Sequence, residues 1–270
     1  MTHFQRTLLT GAAGRLGSEL RKSGTRLGQI VRLSALEPCQ DLAPHEEDFP
    51  ADLADFDAVS RAVEGCDAII HMGGQSVEAP WKTILDSNIS GGYNIYEAAR
   101  RHGVKRIVFA SSVHAIGYYE RTETIDGNVQ TRPDSLYGVS KTFVENLARY
   151  YFDKFGIETV CIRIGSSFPE PTDRRHLITW LSFEDCRQLV EKCLSAPRVG
   201  FMVAYGMSNN SESFWDNRTA AVLGYKAKDS ADDYRDAVFA KTPQGDPNDP
   251  AVRFQGGSFC AAGHFEDENK

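Results

Sequence analysis

Short apolar segments alternate with longer stretches of helical spacing along the chain. Strands that are apolar on both faces and separated by helices indicate a parallel sheet covered on both sides. The pattern therefore predicts an α/β fold with a doubly wound, Rossmann-type parallel sheet, in which ligands bind at the carboxyl ends of the strands. The predicted strands are Thr7–Thr10, Gln29–Leu33, Cys66–Met72, Arg106–Ala110, Glu158–Ile164 and Gly200–Tyr205. The predicted helices are Leu16–Arg26, Trp81–His102, Tyr137–Phe155 and one that begins within Leu181–Asp185, capped by Ser182.

The pattern becomes less regular after about Pro169, where Asp, Asn, Ser and Gly are frequent. We predict a dinucleotide-binding region over residues 1–168 and a small C-terminal substrate-binding subdomain over residues 169–270, both within one compact unit. The segment Thr242–Lys270 is polar and rich in Pro and Gly, so it is predicted to wrap the surface.

Composition narrows the class of protein. Of 270 residues, 41% are hydrophobic and 25% are charged, which is ordinary for a soluble globular protein. The net charge of -7 argues against a nucleic-acid binder, which usually carries a basic excess. No stretch approaches the roughly 20 apolar residues of a membrane span, and the first residues contain no secretory apolar region. We expect a cytoplasmic protein that binds neither nucleic acid nor membrane and forms a homo-oligomer.

The six cysteines form no C-x-x-C pair and no zinc spacing, and no two of the seven histidines form H-x-x-x-H. No metal site is therefore predicted. The thiols are expected to be reduced and packed as small hydrophobic side chains.

Three glycines, Gly11, Gly14 and Gly17, follow the first predicted strand directly and open a helix. Glycine lets the backbone turn tightly and approach a pyrophosphate, which the helix N-terminus attracts. The context favours nucleotide binding over a plain tight turn. Further along, Asp52 is placed to accept a hydrogen bond from an adenine amino group, although a solvated surface carboxylate fits equally well.

The choice between NAD and NADP stays open on the residues alone. An acidic residue that binds the ribose 2'-hydroxyl is expected about 20 residues past the turn. Ala35 occupies that position, and Glu37 is the nearest carboxylate. Arg15, inside the turn, could instead meet a 2'-phosphate.

Tyr137 and Lys141 are four residues apart on a predicted helix, so phenol and ammonium emerge on one face. A phenol titrates near 10 in isolation, and a neighbouring ammonium favours the phenolate. The pair therefore predicts a base at neutral pH. Ser112, at the end of a buried strand, could hydrogen-bond the same substrate oxygen. Asn88 either bridges to the lysine through water or is a surface residue.

Polar residues beyond the strand ends could bind an anionic substrate that carries hydroxyl groups, although a solvated surface pair is the alternative for the two arginines among them. Ser76, His114 and Ser166 could bind hydroxyl groups. Arg174 and Arg175 follow the last strong strand of the predicted sheet, and either guanidinium could hold a carboxylate in bidentate fashion.

Together these residues resemble the extended short-chain dehydrogenase/reductase superfamily. The shared motifs are Gly11–Gly17, Asp52–Leu53, His71–Gly74, Asn88, Ser111–Ser112 and the Tyr137/Lys141 pair. Longer strings make the chain similar to the bacterial uronate dehydrogenases along nearly its whole length. These strings are Gly74–Glu78, His114–Tyr119, Arg132–Lys141, Arg163–Pro171, Trp215–Asn217 and Asp249–Gly257.

The resemblance implies NAD-dependent oxidation of D-galacturonate and D-glucuronate at C1 to the aldarolactone. It implies that Tyr137 is the base, that Lys141 lowers its pKa and holds the nicotinamide ribose, and that Ser112 positions the anomeric hydroxyl. The expected cofactor-binding residues are Gly11, Gly14, Arg15, Leu16, Gly17, Asp52, Leu53, Gly73, Tyr137, Lys141 and Ile164.

The same resemblance implies that Arg175 binds the C6 carboxylate of a small-molecule sugar acid. The expected substrate-binding residues are Ser76, Ser112, His114, Tyr137, Ser166 and Arg175. Two positions depart from the family, which usually has Asn where this chain has Val113 and Asp where it has Ala35. Weaker sugar affinity, an altered sugar preference or relaxed cofactor choice are the expected consequences.

Two other functions share parts of this pattern. A nucleotide-sugar epimerase or dehydratase has the same turn and the same Tyr–Lys pair, but usually a longer C-terminal half. A non-catalytic regulator that senses NAD(P) predicts loss of the Tyr–Lys pair, and this chain keeps both residues.

Overall fold

The computed structural model describes residues 4–264 and residue 267. The predicted surface segment Thr242–Lys270 therefore lies partly outside the described residues. The strands are β1 (Arg6–Thr10), β2 (Ile30–Ser34), β3 (Glu46–Asp48), β4 (Ala68–His71), β5 (Arg106–Ser112), β6 (Glu158–Ile164) and β7 (Phe201–Gly206). They form one sheet in the order β3-β2-β1-β4-β5-β6-β7, and every neighbouring pair is parallel. The order reverses between β1 and β4, which creates the crevice in which such sheets bind ligands.

Helices cover both faces of the sheet. They are α1 (Arg15–Arg21), α2 (Phe56–Val63), α3 (Trp81–Ile84), α4 (Gly91–His102), α5 (Leu136–Phe155), α6 (His176–Thr179), α7 (Phe183–Ser195), α8 (Arg218–Val222), α9 (Arg235–Lys241), α10 (Pro250–Arg253) and α11 (Ser258–Ala261). Side chains from α2, α4 and α5 pack into one core cluster, and side chains from α1, α7 and α8 pack into another. The predicted doubly wound fold is confirmed.

The strongest sequence patterns gave the correct elements, and the weakest were missed. The predicted helix Trp81–His102 is continuous, but a π-helical turn, Leu85–Ser90, joins α3 to α4. Strand β3 was missed because its residues, Glu46–Asp48, are all acidic and carry no apolar signal. Helix α2 was also missed, although Asp55 caps it by accepting from the amides of Asp57 and Ala58.

The C-terminal part, predicted to be a substrate-binding subdomain, also contributes to the sheet and its helical layers. Helix α7 and strand β7 belong to the main sheet layers, so the predicted division at residue 168 cuts across the sheet. The prediction of a surface wrap is wrong for the segment around Gln255, whose side chain is fully buried. Its amide donates to the carbonyls of Glu120 and Glu123 and accepts from the indole of Trp215.

All six cysteines are buried and unpaired, as expected for packed thiols. Over the described residues, no helix is long and apolar enough to cross a membrane. The same part of the chain contains no group of three or more His, Cys, Asp or Glu residues that could hold a metal ion.

Candidate active site

One large cavity, with a volume of about 1060 Å³, opens at the carboxyl ends of the strands. The structure brings every predicted cofactor and substrate residue to its wall. These residues are Gly11, Gly14, Arg15, Leu16, Gly17, Asp52, Leu53, Gly73, Ser76, Ser112, His114, Tyr137, Lys141, Ile164, Ser166 and Arg175. Segments far apart in sequence therefore form one site, and its two ends differ in construction.

Two glycines of the turn are packed too tightly against the backbone to carry a side chain. Gly11 has a φ of +66°, and a Cβ there would lie 2.8 Å from the backbone of Gly73. A Cβ on Gly17 would lie 2.1 Å from the carbonyl oxygen of Gly11. The bare backbone and the N-terminus of α1 thus face the cavity at the switch between β1 and β4. This arrangement fits the pyrophosphate of a dinucleotide.

A buried brace, which sequence reasoning did not identify, holds the turn against the loop after β4. The Thr10 hydroxyl hydrogen-bonds Nδ1 of His71 at 2.8 Å and accepts from the amide of Gly73 at 3.0 Å. Burial, together with the charge of Lys141, lowers the pKa of His71 to about 3. The imidazole is therefore neutral near pH 7 and fixes the backbone that approaches the cofactor.

The end of β2 and Arg15 lie on different sides of β1. Ala35 and Glu37 line the cavity beyond β2, where sheets of this type bind the adenine ribose. Arg15 donates to the carbonyl of Ser167, after β6, at 3.4 Å, and its guanidinium lies 4.7 Å from the centroid of the Phe168 ring. Because β6 lies beyond β4 and β5 in the sheet, this contact directs Arg15 away from β2. The contact does not favour the predicted alternative in which Arg15 meets a 2'-phosphate.

The Tyr137 and Lys141 side chains are both buried on α5, whose first turn is capped by Ser135. Lys141 Nζ donates to the carbonyl of Ala110 at 2.8 Å and lies 5.4 Å from the centroid of the Tyr137 ring. Burial lowers the pKa of Lys141 to about 8, against the opposing charge of Glu145.

In the protein alone the pKa of Tyr137 lies above that of a free phenol, and the lowering of this pKa by Lys141 stays a prediction. Burial raises the pKa of Tyr137 to about 12, although a hydrogen bond with Ser112 acts in the opposite direction. The charge of Asp134 raises it further. Desolvation disfavours the phenolate more than the hydrogen bond with Ser112 favours it.

A buried ion pair fixes α5 on the sheet. Arg163, on β6, donates two hydrogen bonds to Glu145, one turn after Lys141, at 3.0 and 2.8 Å. Ser111 donates to the same carboxylate at 2.5 Å. Sequence reasoning missed this pair, although a glutamate four residues after the lysine was a signal of a shared helix face.

Asn88 is buried in the π-helical turn, so its interpretation as a surface residue is wrong. Its amide accepts from the Gln75 amide at 2.7 Å and donates to the Gln75 carbonyl and to the Ser140 hydroxyl. These bonds join the loop after β4 to α5. Asn88 therefore holds the two segments that carry Ser76 and Tyr137.

The other end of the cavity, called the sugar end because the residues predicted to bind a sugar acid line it, contains a cation with an unused donor. Arg175 Nε donates to the carbonyl of Gln255 at 2.7 Å, and Nη1 donates to the Ser166 hydroxyl at 3.3 Å. Nη2 is buried and has no hydrogen-bond partner within the described part of the chain. Burial, with the nearby charge of Arg121, lowers the pKa of Arg175 to about 10, so the group remains a cation at neutral pH.

Arg174, the other predicted anchor, points elsewhere. Its Nε donates to the carbonyl of Thr242 at 3.0 Å, and its guanidinium lies 4.4 Å from the centroid of the Phe239 ring. Of the two arginines, Arg175 is the one that lines the cavity.

The remaining sugar-end residues come from three segments. Ser76 lies in a loop that Glu78 ties to α5, because the Glu78 carboxylate accepts from the amides of Leu136 and Tyr137 at 3.1 and 2.8 Å. The His114 ring stacks on Phe259 with ring centroids 3.9 Å apart. Sequence reasoning missed Phe259, which lies in the tail assigned to the surface.

Val113, the first departure from the family pattern, is 2% exposed and packs in an apolar cluster with Ile116, Tyr205 and Trp215. It also reaches the cavity wall, where it offers no hydrogen bond.

Comparison with known proteins agrees with this geometry. Residues 7–182 match the NAD dependent epimerase/dehydratase family. A uronate dehydrogenase of Pseudomonas syringae pv. tomato is 54% identical over 99% of this chain and 97% of its own length. A glucuronic acid dehydrogenase crystal structure from Chromohalobacter salexigens superposes with a TM-score of 0.95 at 52% identity, covering 98% of this chain and 99% of that one.

A mutant of the Agrobacterium tumefaciens uronate dehydrogenase, crystallised in complex with NAD, superposes with a TM-score of 0.92 at 51% identity, covering 97% of this chain and 98% of that one. The match covers nearly the whole chain, including its C-terminal part. Tyr137 and Lys141 both line the cavity. These findings confirm the predicted NAD-dependent enzyme and leave the non-catalytic regulator without support. The chain therefore belongs to the NAD dependent epimerase/dehydratase family and, within it, to the uronate dehydrogenases.

Proposed function

We propose that this enzyme oxidises the C1 hydroxyl of a hexuronate, D-galacturonate or D-glucuronate, to the aldarolactone with reduction of NAD. The observation that carries the proposal is the buried Arg175 guanidinium, whose Nη2 has no partner among the described residues. A buried unpaired donor is costly, and an incoming carboxylate would satisfy it with a charge-assisted hydrogen bond. The relatives named above act on uronate or glucuronic acid, which carry such a carboxylate.

The proposed reaction breaks two bonds, the C1–H bond of the sugar acid and the O–H bond of the hydroxyl group on C1. Tyr137 takes the hydroxyl proton, and Ser112, which hydrogen-bonds the phenol, holds the same oxygen. When bound, NAD supplies the acceptor for the hydride and a positively charged ring. Lys141, fixed by the carbonyl of Ala110, holds the ribose and adds a second positive charge beside the phenol.

The pKa of about 12 for Tyr137 belongs to the protein alone. Positive charge from the bound cofactor, added to that of Lys141 already present in the protein, would lower it in the complex, where the proton is transferred. Burial of the pair also excludes water, so these charges act through a medium of low dielectric constant.

The test follows absorbance of the reduced cofactor with galacturonate and glucuronate, and with the matched neutral sugars galactose and glucose. We expect turnover of both sugar acids with NAD, and kcat/KM at least about a hundredfold higher than for the neutral sugars. Absence of turnover with either acid contradicts the proposal.

Arg175→Ala tests the anchor, and Arg174→Ala is the matched control. Arg175→Ala should raise KM for the acids by about tenfold to a hundredfold and leave the neutral sugars nearly unchanged, because only the acids lose an ionic hydrogen bond. If Arg174→Ala produces this pattern instead, the carboxylate is bound by the neighbouring residue.

A further inference from the structure

A buried carboxylate with no role in the proposed chemistry lies beside the sugar end of the cavity. The side chain of Asp134 is fully buried and directly precedes the cap of α5. Its Oδ2 lies 2.8 Å from Nδ1 of His114, and its Oδ1 accepts from the Ser135 hydroxyl at 2.9 Å.

Two glycines make room for this carboxylate. A Cβ on Gly117 would lie 1.8 Å from Asp134 Oδ2, and a Cβ on Gly256 would lie 2.0 Å from the same atom. Gly117 has a φ of -59°, so glycine is required there by space rather than by backbone conformation. Asp134 therefore occupies a slot that is open only because two separate segments lack side chains at that point.

We propose that Asp134 is a positioning residue that fixes the tautomer of His114. An ionised carboxylate only accepts hydrogen bonds, so Nδ1 must carry the proton, and Nε2 of the neutral ring becomes an acceptor. Stacking on Phe259 and an edge contact with Tyr137, at 5.8 Å between ring centroids, hold the plane of the ring. A carboxylate that orients a histidine from behind is a recurring device in metal sites and catalytic triads.

The fixed tautomer of His114 determines which sugar acids can form a hydrogen bond with its ring. Because the Nδ1 edge faces Asp134, the Nε2 edge is left for the ligand, and His114 lines the cavity. The inference rests on the proposed function, since it assigns Nε2 to a hydroxyl of the hexuronate. That hydroxyl must donate, so a sugar acid that is deoxy or O-methylated at that carbon loses the hydrogen bond.

The tautomer can be measured without turnover. Long-range ¹H–¹⁵N spectra report the protonation of each histidine nitrogen, and His114→Gln assigns the signals of His114 by their loss. We expect the Nδ1–H form in the native enzyme at pH 8. In Asp134→Asn, Ser135 keeps its acceptor, the amide NH₂ faces Nδ1, and the ring changes to the Nε2–H form. An Nε2–H ring in the native enzyme overturns the proposal, even if the Asn variant does not fold.

Kinetics separate positioning from a merely structural role. Asp134→Asn should raise KM for galacturonate by about tenfold and leave KM for NAD unchanged. The lost negative charge alone would favour carboxylate binding at Arg175 and lower KM, so a fall in KM contradicts the proposal. In the His114→Gln background, the Asn substitution should have no further effect on KM, whereas additive losses would overturn the inference.

Asp153→Asn, at the exposed end of α5, serves as the control and should leave both constants unchanged. If the native enzyme turns over no uronate, the proposed function fails while the tautomer result still stands. The two failures are therefore distinguishable.

Discussion

The two ends of the cavity are built in different ways. At the cofactor end, consecutive residues of one turn, Gly11–Gly17, present their backbone to the ligand. At the sugar end, side chains from the loops after β4, β5 and β6 and from the C-terminal segment meet around Arg175. The difference indicates that the predicted cofactor end depends on local backbone geometry, whereas the proposed sugar end depends on contacts between distant parts of the chain.

Tyr137 belongs to both ends, and its loss should have the largest effect. Tyr137→Phe removes the proton acceptor without changing the volume of the side chain, so kcat should fall by about a thousandfold or more while NAD affinity changes little. Steady-state kinetics and NAD titration measure the two quantities. Tyr150→Phe, on the exposed side of the same helix, is the control. A nearly unchanged kcat would remove Tyr137 as the base.

A methyl group added to the glycine turn should damage only the cofactor end. Gly17→Ala places a Cβ 2.1 Å from the carbonyl oxygen of Gly11, so the turn must shift, and we expect NAD affinity to fall by about a hundredfold. Calorimetric titration with NAD measures the loss. Gly263→Ala, whose Cβ would meet no atom of the described chain within 4 Å, should bind NAD normally. Equal affinities for the two variants would show that the close approach is dispensable.

Burial of Lys141 in the cavity wall between the two ends should lower the stability of the folded protein. Its folded-state pKa of about 8 lies below the value near 10.4 of an unfolded lysine, so burial opposes folding most strongly below pH 8. Lys141→Met should therefore raise the free energy of unfolding by about 3 kcal/mol at pH 7, less the contribution of the lost hydrogen bond to Ala110.

The same pKa difference predicts how the stability difference between the native enzyme and Lys141→Met changes with pH. As pH rises from 8 to about 10, the unfolded state holds more protons than the folded state, so the native enzyme gains stability and the difference from Lys141→Met shrinks. Urea denaturation at both pH values measures it, with the exposed Lys154→Met as control. A gap that widens toward pH 10 would contradict the assignment.

Sequence reasoning succeeded where one segment carries the whole signal. The glycine turn and the Tyr137/Lys141 helix are local patterns, and so are the apolar strands between them. The Thr10–His71 brace and the Glu145–Arg163 pair were missed because each joins elements that only the sheet order brings together. Phe259 was missed for the same reason.

The π-helical turn was also beyond reach, because helical spacing predicts a helix but not a local change of pitch. For the phenol of Tyr137, the sequence showed the neighbouring ammonium but not the degree of burial, which controls the pKa. Burial is a property of the assembled fold.

The docking of Gln255 has a consequence for synthesis of the chain. Most of the sheet and the glycine turn precede residue 165, so a nascent chain can form its nucleotide pocket early. The Gln255 carbonyl that accepts from Arg175 and the Phe259 ring that stacks on His114 are synthesised after every strand of the sheet. The contacts that hold Arg175 and His114 can therefore form only after the strands of the sheet have all been synthesised.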